Sequence, residues 1–138
     1  MIQQFTCTGF KNINVDNMEF GRINLLIGPN NAGKSNFIKA LSFGANMLSN
    51  GKKGEKGFLS EIKRNGYQSI INLTTKEKTI SMLWRIALLN SSFDYKIDFH
   101  VGERLEDFYI ETEKLDAAEM EEKYKKTFNY FECDGKKA

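Results

Sequence analysis

The segment INLLIGPNNAGKSN, residues 23–36, joins a short apolar run to a glycine-rich loop. Residues 23–27 are almost all apolar, which is typical of a strand buried on both faces of a parallel sheet. Residues 28–33 include Pro29 and two glycines, so they can neither continue that strand nor form a regular helix. We therefore predict an α/β fold in which a buried strand leads into a loop.

A helix is predicted directly after this loop. From residue 34 to about residue 49, apolar side chains recur every three or four positions, which is the spacing of one helix face. The residues that give this period are Phe37, Ile38, Leu41, Ala45 and Leu48. The loop is therefore expected to lie between a strand and a helix.

The loop matches a phosphate-binding pattern. Residues 28–35 satisfy G-x-x-x-x-G-K-[ST], the P-loop pattern, in which backbone N–H groups surround phosphate oxygens and the dipole of the following helix favours negative charge. We expect Lys34 to reach the β- and γ-phosphates of a nucleotide and the Ser35 hydroxyl to coordinate Mg²⁺. The nucleotide-binding candidates are Gly28, Pro29, Asn30, Asn31, Ala32, Gly33, Lys34, Ser35 and Asn36.

The rest of the sequence is typical of an antiparallel sheet. Residues 94–101 alternate polar and apolar side chains, so this strand is expected to have one buried and one wet face. Residues 116–126 are predicted as a short polar helix capped by Asp116, and residues 50–57 as a surface loop. The other predicted strands are residues 2–10, 12–20, 80–89, 108–113 and 127–133.

The composition excludes several classes of protein. The chain has 138 residues, enough for one domain, and its eleven Phe and five Tyr are more than a disordered chain carries. The net charge of +2 makes no general case for binding nucleic acid or a membrane surface. Apolar runs fall short of the ~18 residues of a membrane span. Cys7 and Cys133 lack a paired spacing, so we expect a cytoplasmic chain with reduced thiols and no membrane partner.

Several stretches resemble the ATPase heads of the ABC-type group. The first are residues 9–13 (GFKNI), 23–27 (INLLI) and 28–36 (GPNNAGKSN). They are similar to SMC-, RecF- and OLD-like proteins and to AAA-family ATPases of the AAA_21 type. Residues 107–115 resemble an I-E-x-E-x-L strand of that branch, and residues 129–135 resemble the hairpin that follows it. The resemblance covers nearly the whole chain but only the first half of the family's domain.

The resemblance implies an N-terminal lobe, residues 1–138, in which the P-loop strand and helix lie beside an antiparallel β-subdomain. Such a lobe binds ATP and Mg²⁺. It ends before the signature loop and the Walker B motif, so no residue here is assigned a catalytic role. Hydrolysis would then need a missing C-terminal ATPase lobe and a second ATPase head, and a homo-oligomer is an alternative partner. In the full protein the resemblance implies DNA or a nuclease effector as a partner, in DNA repair or anti-phage defence.

Two further residues are weaker candidates by the same resemblance. Lys11 occupies a position that often lies near the nucleotide, although a surface lysine is an equally good interpretation. Gln68 is the only glutamine after the P-loop and is therefore the candidate for the Q-loop glutamine. The family pattern places an apolar strand before that glutamine, and none leads into Gln68.

Two other functions stay open. A non-hydrolysing nucleotide-binding or assembly module would use ATP as a structural ligand, which the absence of a Walker B motif favours. A small-molecule P-loop kinase would need Arg or Asp residues over an acceptor, and the sequence marks none. A GTPase is disfavoured because the N-K-x-D and D-x-x-G motifs do not occur.

Overall fold

The chain is built on one antiparallel sheet, seen in a computed structural model that describes residues 1–49, 55–70, 78–89, 91–120 and 129–134. The sheet has six strands in the order β2-β1-β3-β4-β5-β6. In chain order the elements are β1 (Ile2–Phe10), β2 (Ile13–Glu19), α1 (Lys34–Ser49), α2 (Glu55–Asn65), α3 (Tyr67–Ile70), β3 (Thr79–Leu88), β4 (Ser91–His100), a 3-10 turn (Leu105–Asp107), β5 (Tyr109–Met120) and β6 (Asn129–Asp134).

The central pair of strands is the most regular part of the sheet. β3 and β4 stay in register without a bulge from Thr79 opposite His100 to Leu88 opposite Ser91. Along β4 the buried and the more exposed positions largely alternate, as the sequence predicted for residues 94–101. The α/β class and the antiparallel sheet are therefore confirmed.

Helix α1 lies against one face of this sheet. The indole N–H of Trp84, on β3, donates a hydrogen bond of 2.8 Å to the backbone oxygen of Leu41 in the helix. Gly44 lies so close to the sheet that a Cβ there would be 3.2 Å from Trp84 and 3.1 Å from Tyr95. The absence of a side chain at Gly44 therefore allows α1 to approach the two rings.

An aromatic cluster forms the centre of the core. The rings of Phe43 and Phe99 stack at 5.4 Å with an interplanar angle of 7°. Phe58, on α2, meets Phe99 edge-on at 5.3 Å, and Phe10 meets Phe43 at 5.9 Å. All four side chains are fully buried. Burial of rings this large contributes on the order of 2–3 kcal/mol each, so the cluster holds α1, α2 and the sheet together.

The prediction of a buried strand at residues 23–27 is wrong. In the described part of the chain this segment belongs to none of the sheet's strands, and Ile23 is 92% exposed and Ile27 81% exposed. A parallel strand is stable where neighbouring strands accept its hydrogen bonds and other layers cover its faces. All described strand pairs are antiparallel, so nothing described here supplies such neighbours. At the start of the segment, Gly21 and Asn24 exchange two hydrogen bonds and form a turn.

The predicted apolar face of the first helix is also partly wrong. Phe37 is buried as expected, but Ile38, Ala45 and Leu48 are exposed. The buried positions of α1 are Phe37, Ala40, Phe43, Gly44 and Met47. The buried face is thus a different stripe of the helix, in which Phe37, Phe43 and Met47 supply the apolar area and Gly44 allows close approach to the sheet.

Two predictions outside α1 differ from the structure as well. Residues 116–120 continue β5 instead of starting a helix, because Asp116 pairs with Asp94 and Ala117 with Phe93 on β4. The predicted loop at residues 50–57 ends earlier than expected, since α2 begins at Glu55. Residues 50–54 and 121–126 lie outside the described residues.

Candidate functional site

The loop before α1 has a backbone that only certain residues adopt easily. Asn31 has φ +71° and Gly33 has φ +90°, both in the left-handed region. Glycine reaches this region without cost, and asparagine tolerates it better than most residues. The amide of Ala32 donates to the backbone oxygen of Pro29 at 3.2 Å and closes a turn within the loop. The sequence of the loop therefore suits its shape.

The loop leads directly into the N-terminus of α1. The amide of Phe37 donates to the oxygen of Gly33 at 2.8 Å, which is the first hydrogen bond of the helix ladder. The backbone N–H groups just before Phe37 have no partner in that ladder and are the donors that an anion binds. The first turn carries no acidic side chain. A cavity of about 510 Å³ lies here, lined by Asn30, Asn31, Gly33, Lys34, Ser35 and Asn36.

Lys34 brings a positive charge to this cavity. Its ammonium donates to the backbone oxygens of Gly28 at 2.5 Å and of Pro29 at 2.6 Å. An ammonium has three donors, so one remains for another acceptor while the loop holds the other two. Ser35 is exposed, and within the described part of the chain its hydroxyl bonds no protein group. The cavity thus offers donors, one cation and a hydroxyl, and no lining residue is acidic.

Comparison with protein families identifies the family of the chain. A family profile described as "AAA domain, putative AbiEii toxin, Type IV TA system", AAA_21, matches residues 23–112. The chain belongs to the AAA_21 family. This membership makes it an AAA-type nucleotide-binding ATPase module. A search of the curated proteins found no match to the chain.

The AAA_21 match begins at the exposed apolar segment and extends into β5. It includes all nine candidate residues. Six of these line the cavity, and the other three build the loop: the oxygens of Gly28 and Pro29 hold Lys34, and Ala32 closes the turn with Pro29. β1 and β2 lie outside the matched residues, so the family match assigns nothing to the turn between them.

The structure places Lys11 away from the cavity of this AAA_21 chain. Its ammonium donates to the backbone oxygen of Asn65 at 3.0 Å and to the hydroxyl of Ser69 at 3.2 Å. Asn65 is the last residue of α2, so Lys11 satisfies a carbonyl at the helix C-terminus, where a cation also complements the helix dipole. The pKa of Lys11 is lowered, mainly by partial burial and further by the positive charge of Lys39.

Gln68 and His100 are not among the described residues that line the cavity. Gln68 is exposed on α3, and no contact joins it to the loop. His100 ends β4, where its Nδ1 lies 3.6 Å from Glu111 and its ring stacks on Tyr109. The structure thus brings none of these groups to the nucleotide candidates.

The described residues contain neither a metal-ligand cluster nor a membrane-spanning helix. Within the ranges that the structure describes, no group of three or more His, Cys, Asp or Glu is arranged to hold a metal ion. In those same ranges, no helix has the length and apolar character that crossing a membrane requires.

One residue of the site's surroundings escaped the sequence analysis. Asn12, in the turn between β1 and β2, bonds to Asn36 of the cavity at 2.9 Å. Asn12 lies in residues 9–13, which resemble ATPase heads, but the resemblance implies a role near the nucleotide for Lys11 and not for Asn12. A contact across 24 positions of the chain leaves no periodic signal.

Proposed function

We propose that this chain binds Mg·ATP at residues 28–36, as the ATP-binding lobe of an ABC/OLD-like ATPase. The observation that carries the proposal is the cavity at the N-terminus of α1, where the loop, Lys34 and Ser35 converge. The backbone N–H groups of the loop would bind phosphate oxygens, and the ammonium of Lys34 would neutralise part of the phosphate charge. Gly33, at φ +90°, gives the loop the left-handed backbone that it adopts just before the helix.

The residues present also fit a magnesium ion. Mg²⁺ prefers oxygen ligands and keeps several waters, so in a nucleotide site it needs few protein ligands besides the phosphates. The exposed hydroxyl of Ser35, beside Lys34 at the start of the helix, is such a ligand. When bound, the ion would neutralise charge on the phosphates. Ser35 would hold it, and Lys34 and the loop would orient the nucleotide.

We propose that hydrolysis needs protein segments in addition to the described residues. None of the described residues that line the cavity is acidic, so we infer that the groups that polarise an attacking water come from elsewhere. The exposed segment 23–27 supports this, with Leu25 82% and Ile27 81% exposed. A C-terminal ATPase lobe would provide parallel strands for that segment and the Walker B residues. A second ATPase head, or a second copy of this chain, would complete the site.

The cellular role rests on family analogy alone. The family's description refers to a type IV toxin–antitoxin system. We propose that the full protein acts in the cytoplasm of a prokaryote, in DNA repair or anti-phage defence, and that nucleotide binding controls its action on DNA or on a nuclease effector.

A second function is favoured by one observation. Because the cavity lining lacks a carboxylate, the described residues fit a module that binds nucleotide without hydrolysing it. Phosphate release by the complete gene product separates the two: turnover supports the ATPase, and binding without turnover supports the assembly module.

The experiment is a titration of the chain with a fluorescent ATP analogue and Mg²⁺. Lys34→Ala should weaken binding about ten- to hundredfold, because the one ammonium donor that the loop leaves free is lost together with its charge, and a charge-assisted hydrogen bond contributes roughly 1.5–3 kcal/mol. The matched control is Lys39→Ala, which removes the same charge from an exposed position of the same helix outside the cavity lining. This control should change affinity by less than about threefold, since an exposed charge outside the cavity is largely screened by salt.

A second variant separates the metal from the phosphates. Ser35→Ala should weaken binding in Mg²⁺ and leave binding in EDTA unchanged. Circular dichroism should show that both site variants keep the fold, because neither side chain belongs to the buried core. Equal losses from Lys34→Ala and Lys39→Ala would contradict the proposed site, and an equal loss from Ser35→Ala in EDTA would contradict its metal role.

A further inference from the structure

The turn between β1 and β2 lies directly against the end of the loop. Asn12 Oδ1 accepts a hydrogen bond of 2.9 Å from Asn36 Nδ2, in the first turn of α1. A Cβ placed on Gly33 would be only 2.6 Å from Asn12 Nδ2. Asn12 therefore occupies the space that a side chain at position 33 would need, and it contacts the loop at its junction with the helix.

The same turn is fixed on its other side by Lys11. The amide of Lys11 donates to the backbone oxygen of Ile70 at 2.8 Å, and its ammonium binds the oxygen of Asn65 and the hydroxyl of Ser69. Lys11 has φ +53°, so the turn has a defined, left-handed bend at this residue. The position of Asn12 is thus set by the β1–β2 hairpin and by α2 and α3, independently of the loop.

This arrangement matters because a loop that binds phosphate must be ordered before it binds. Each backbone residue that is ordered only on binding costs on the order of 1 kcal/mol of conformational entropy. A contact that orders the loop beforehand removes that cost from the binding step. Gly33, with its freedom at positive φ, is the residue of the loop with most to gain from an external contact.

We propose that Asn12 is a positioning residue of the nucleotide site, which holds Gly33 and Asn36 in the arrangement that binds phosphate. The proposal rests on the proposed function. It goes beyond that function because Asn12 is outside the family match and outside the cavity lining. Asn12 acts through Gly33 and Asn36, and its own contact with the nucleotide is not required.

The test compares two asparagines of one hairpin. Asn12→Ala removes the contact with the loop. Asn14→Ala is the matched control, because Asn14 Oδ1 accepts a hydrogen bond of 2.7 Å from the amide of Gly9 and no contact joins it to the loop. Affinity for a fluorescent ATP analogue with Mg²⁺ and the urea midpoint are measured for each. We expect Asn12→Ala to bind about tenfold more weakly, the equivalent of one hydrogen bond of ~1.4 kcal/mol. Asn14→Ala should lower the urea midpoint and leave the affinity within about threefold.

A second readout follows the loop itself. Amide hydrogen exchange of residues 31–36 without nucleotide should be faster in Asn12→Ala than in Asn14→Ala, since only the first variant releases the loop. If Asn12→Ala does not fold, Asn36→Ala removes the same hydrogen bond from the helix side. Where the Asn12→Ala chain folds, the same substitution in the Asn36→Ala background should weaken binding further by less than about threefold, because the hydrogen bond between the two side chains is already absent.

The outcomes distinguish this inference from the proposed function. Wild-type affinity in Asn12→Ala, or equal losses in Asn12→Ala and Asn14→Ala, would overturn the positioning role while Lys34→Ala still lost binding. No binding by the wild-type chain, or undiminished binding by Lys34→Ala, would overturn the proposed function and this inference with it. Loss in Asn12→Ala alone, with faster exchange in the loop, supports the inference.

Discussion

Replacing Gly44 with alanine tests whether helix α1 is held on the sheet through one close contact. The new Cβ would lie 3.1 Å from Tyr95 Cε1 and 3.2 Å from Trp84 Cη2, whereas ordinary contacts of this kind begin at 3.4 Å. Neither ring is free to move away. The indole of Trp84 is bonded to Leu41, and the hydroxyl of Tyr95 donates to Glu113 at 2.7 Å.

Two opposing free energies decide the sign of the effect. Alanine is favoured over glycine inside a helix by about 1 kcal/mol. Inserting a methyl group into a filled core costs about 1–3 kcal/mol. Because the methyl group meets two rings that are both held by hydrogen bonds, we expect the upper half of that cost, about 2–3 kcal/mol, which less the helix gain of about 1 kcal/mol leaves a fall in the free energy of unfolding of about 1–2 kcal/mol. For a chain of this size the melting temperature should fall by roughly 3–8 °C.

Urea denaturation followed by far-ultraviolet circular dichroism measures this change. The informative control places Gly44→Ala in a Trp84→Phe background, where the part of the indole that meets the new methyl group is missing. There the substitution should cost less, or stabilise the chain, and the difference between the two backgrounds is the contact itself. If Gly44→Ala raised the stability of the wild-type chain by about 1 kcal/mol, helix propensity alone would explain the result and the close packing of α1 would be refuted.

Two further predictions concern other parts of the molecule. The double variant Leu25→Lys, Ile27→Lys should leave the melting temperature unchanged, because these side chains are 82% and 81% exposed. The same variant should associate less with rising concentration in sedimentation experiments. A clear loss of thermal stability would show that the segment is packed. Burial raises the pKa of the Cys7 thiol from 9.0 to about 12. Between these values the folded chain keeps a proton that the unfolded chain releases. The free energy of unfolding should therefore fall as pH rises from 9 to 10, by at most about 1.4 kcal/mol per pH unit. Urea titrations should show that Cys7→Ala reduces this slope, the remainder coming from Tyr95, whose pKa is also raised by burial; an unchanged slope would argue against a buried thiol.

Strands of the sheet could be predicted from the sequence because their buried and exposed faces produce an alternation of apolar and polar side chains. Residues 94–101 alternate polar and apolar side chains since one face of β4 is covered by helices. The prediction of β1 agrees with the structure to the residue. The nine candidate residues are contiguous in the sequence, so their motif could be identified without any knowledge of tertiary contacts.

The predictions that were wrong or incomplete depend on tertiary contacts, which a local sequence pattern does not specify. An apolar run such as residues 23–27 indicates a buried strand, but its burial depends on neighbours that the described residues do not provide. Helix α1 carries two apolar stripes, and only tertiary contacts decide that the stripe with Phe43 and Met47 faces the sheet while Ile38 and Leu48 stay exposed. Residues 116–120 have a helix-like composition, yet pairing with β4 makes them a strand. The role of Asn12 depends on the hairpin's position beside the loop.

Trp84 gives this chain a spectroscopic property. It is the only tryptophan in the sequence, it is 3% exposed, and its indole stacks on Tyr95 and is bonded to the helix that carries the candidate site. All tryptophan emission therefore comes from the seam between α1 and the sheet, with no background from elsewhere. A shift of that emission to longer wavelength reports the separation of α1 from the sheet, while the circular dichroism of the strands reports the sheet itself. The unlabelled protein can thus show whether helix and sheet come apart together or in sequence.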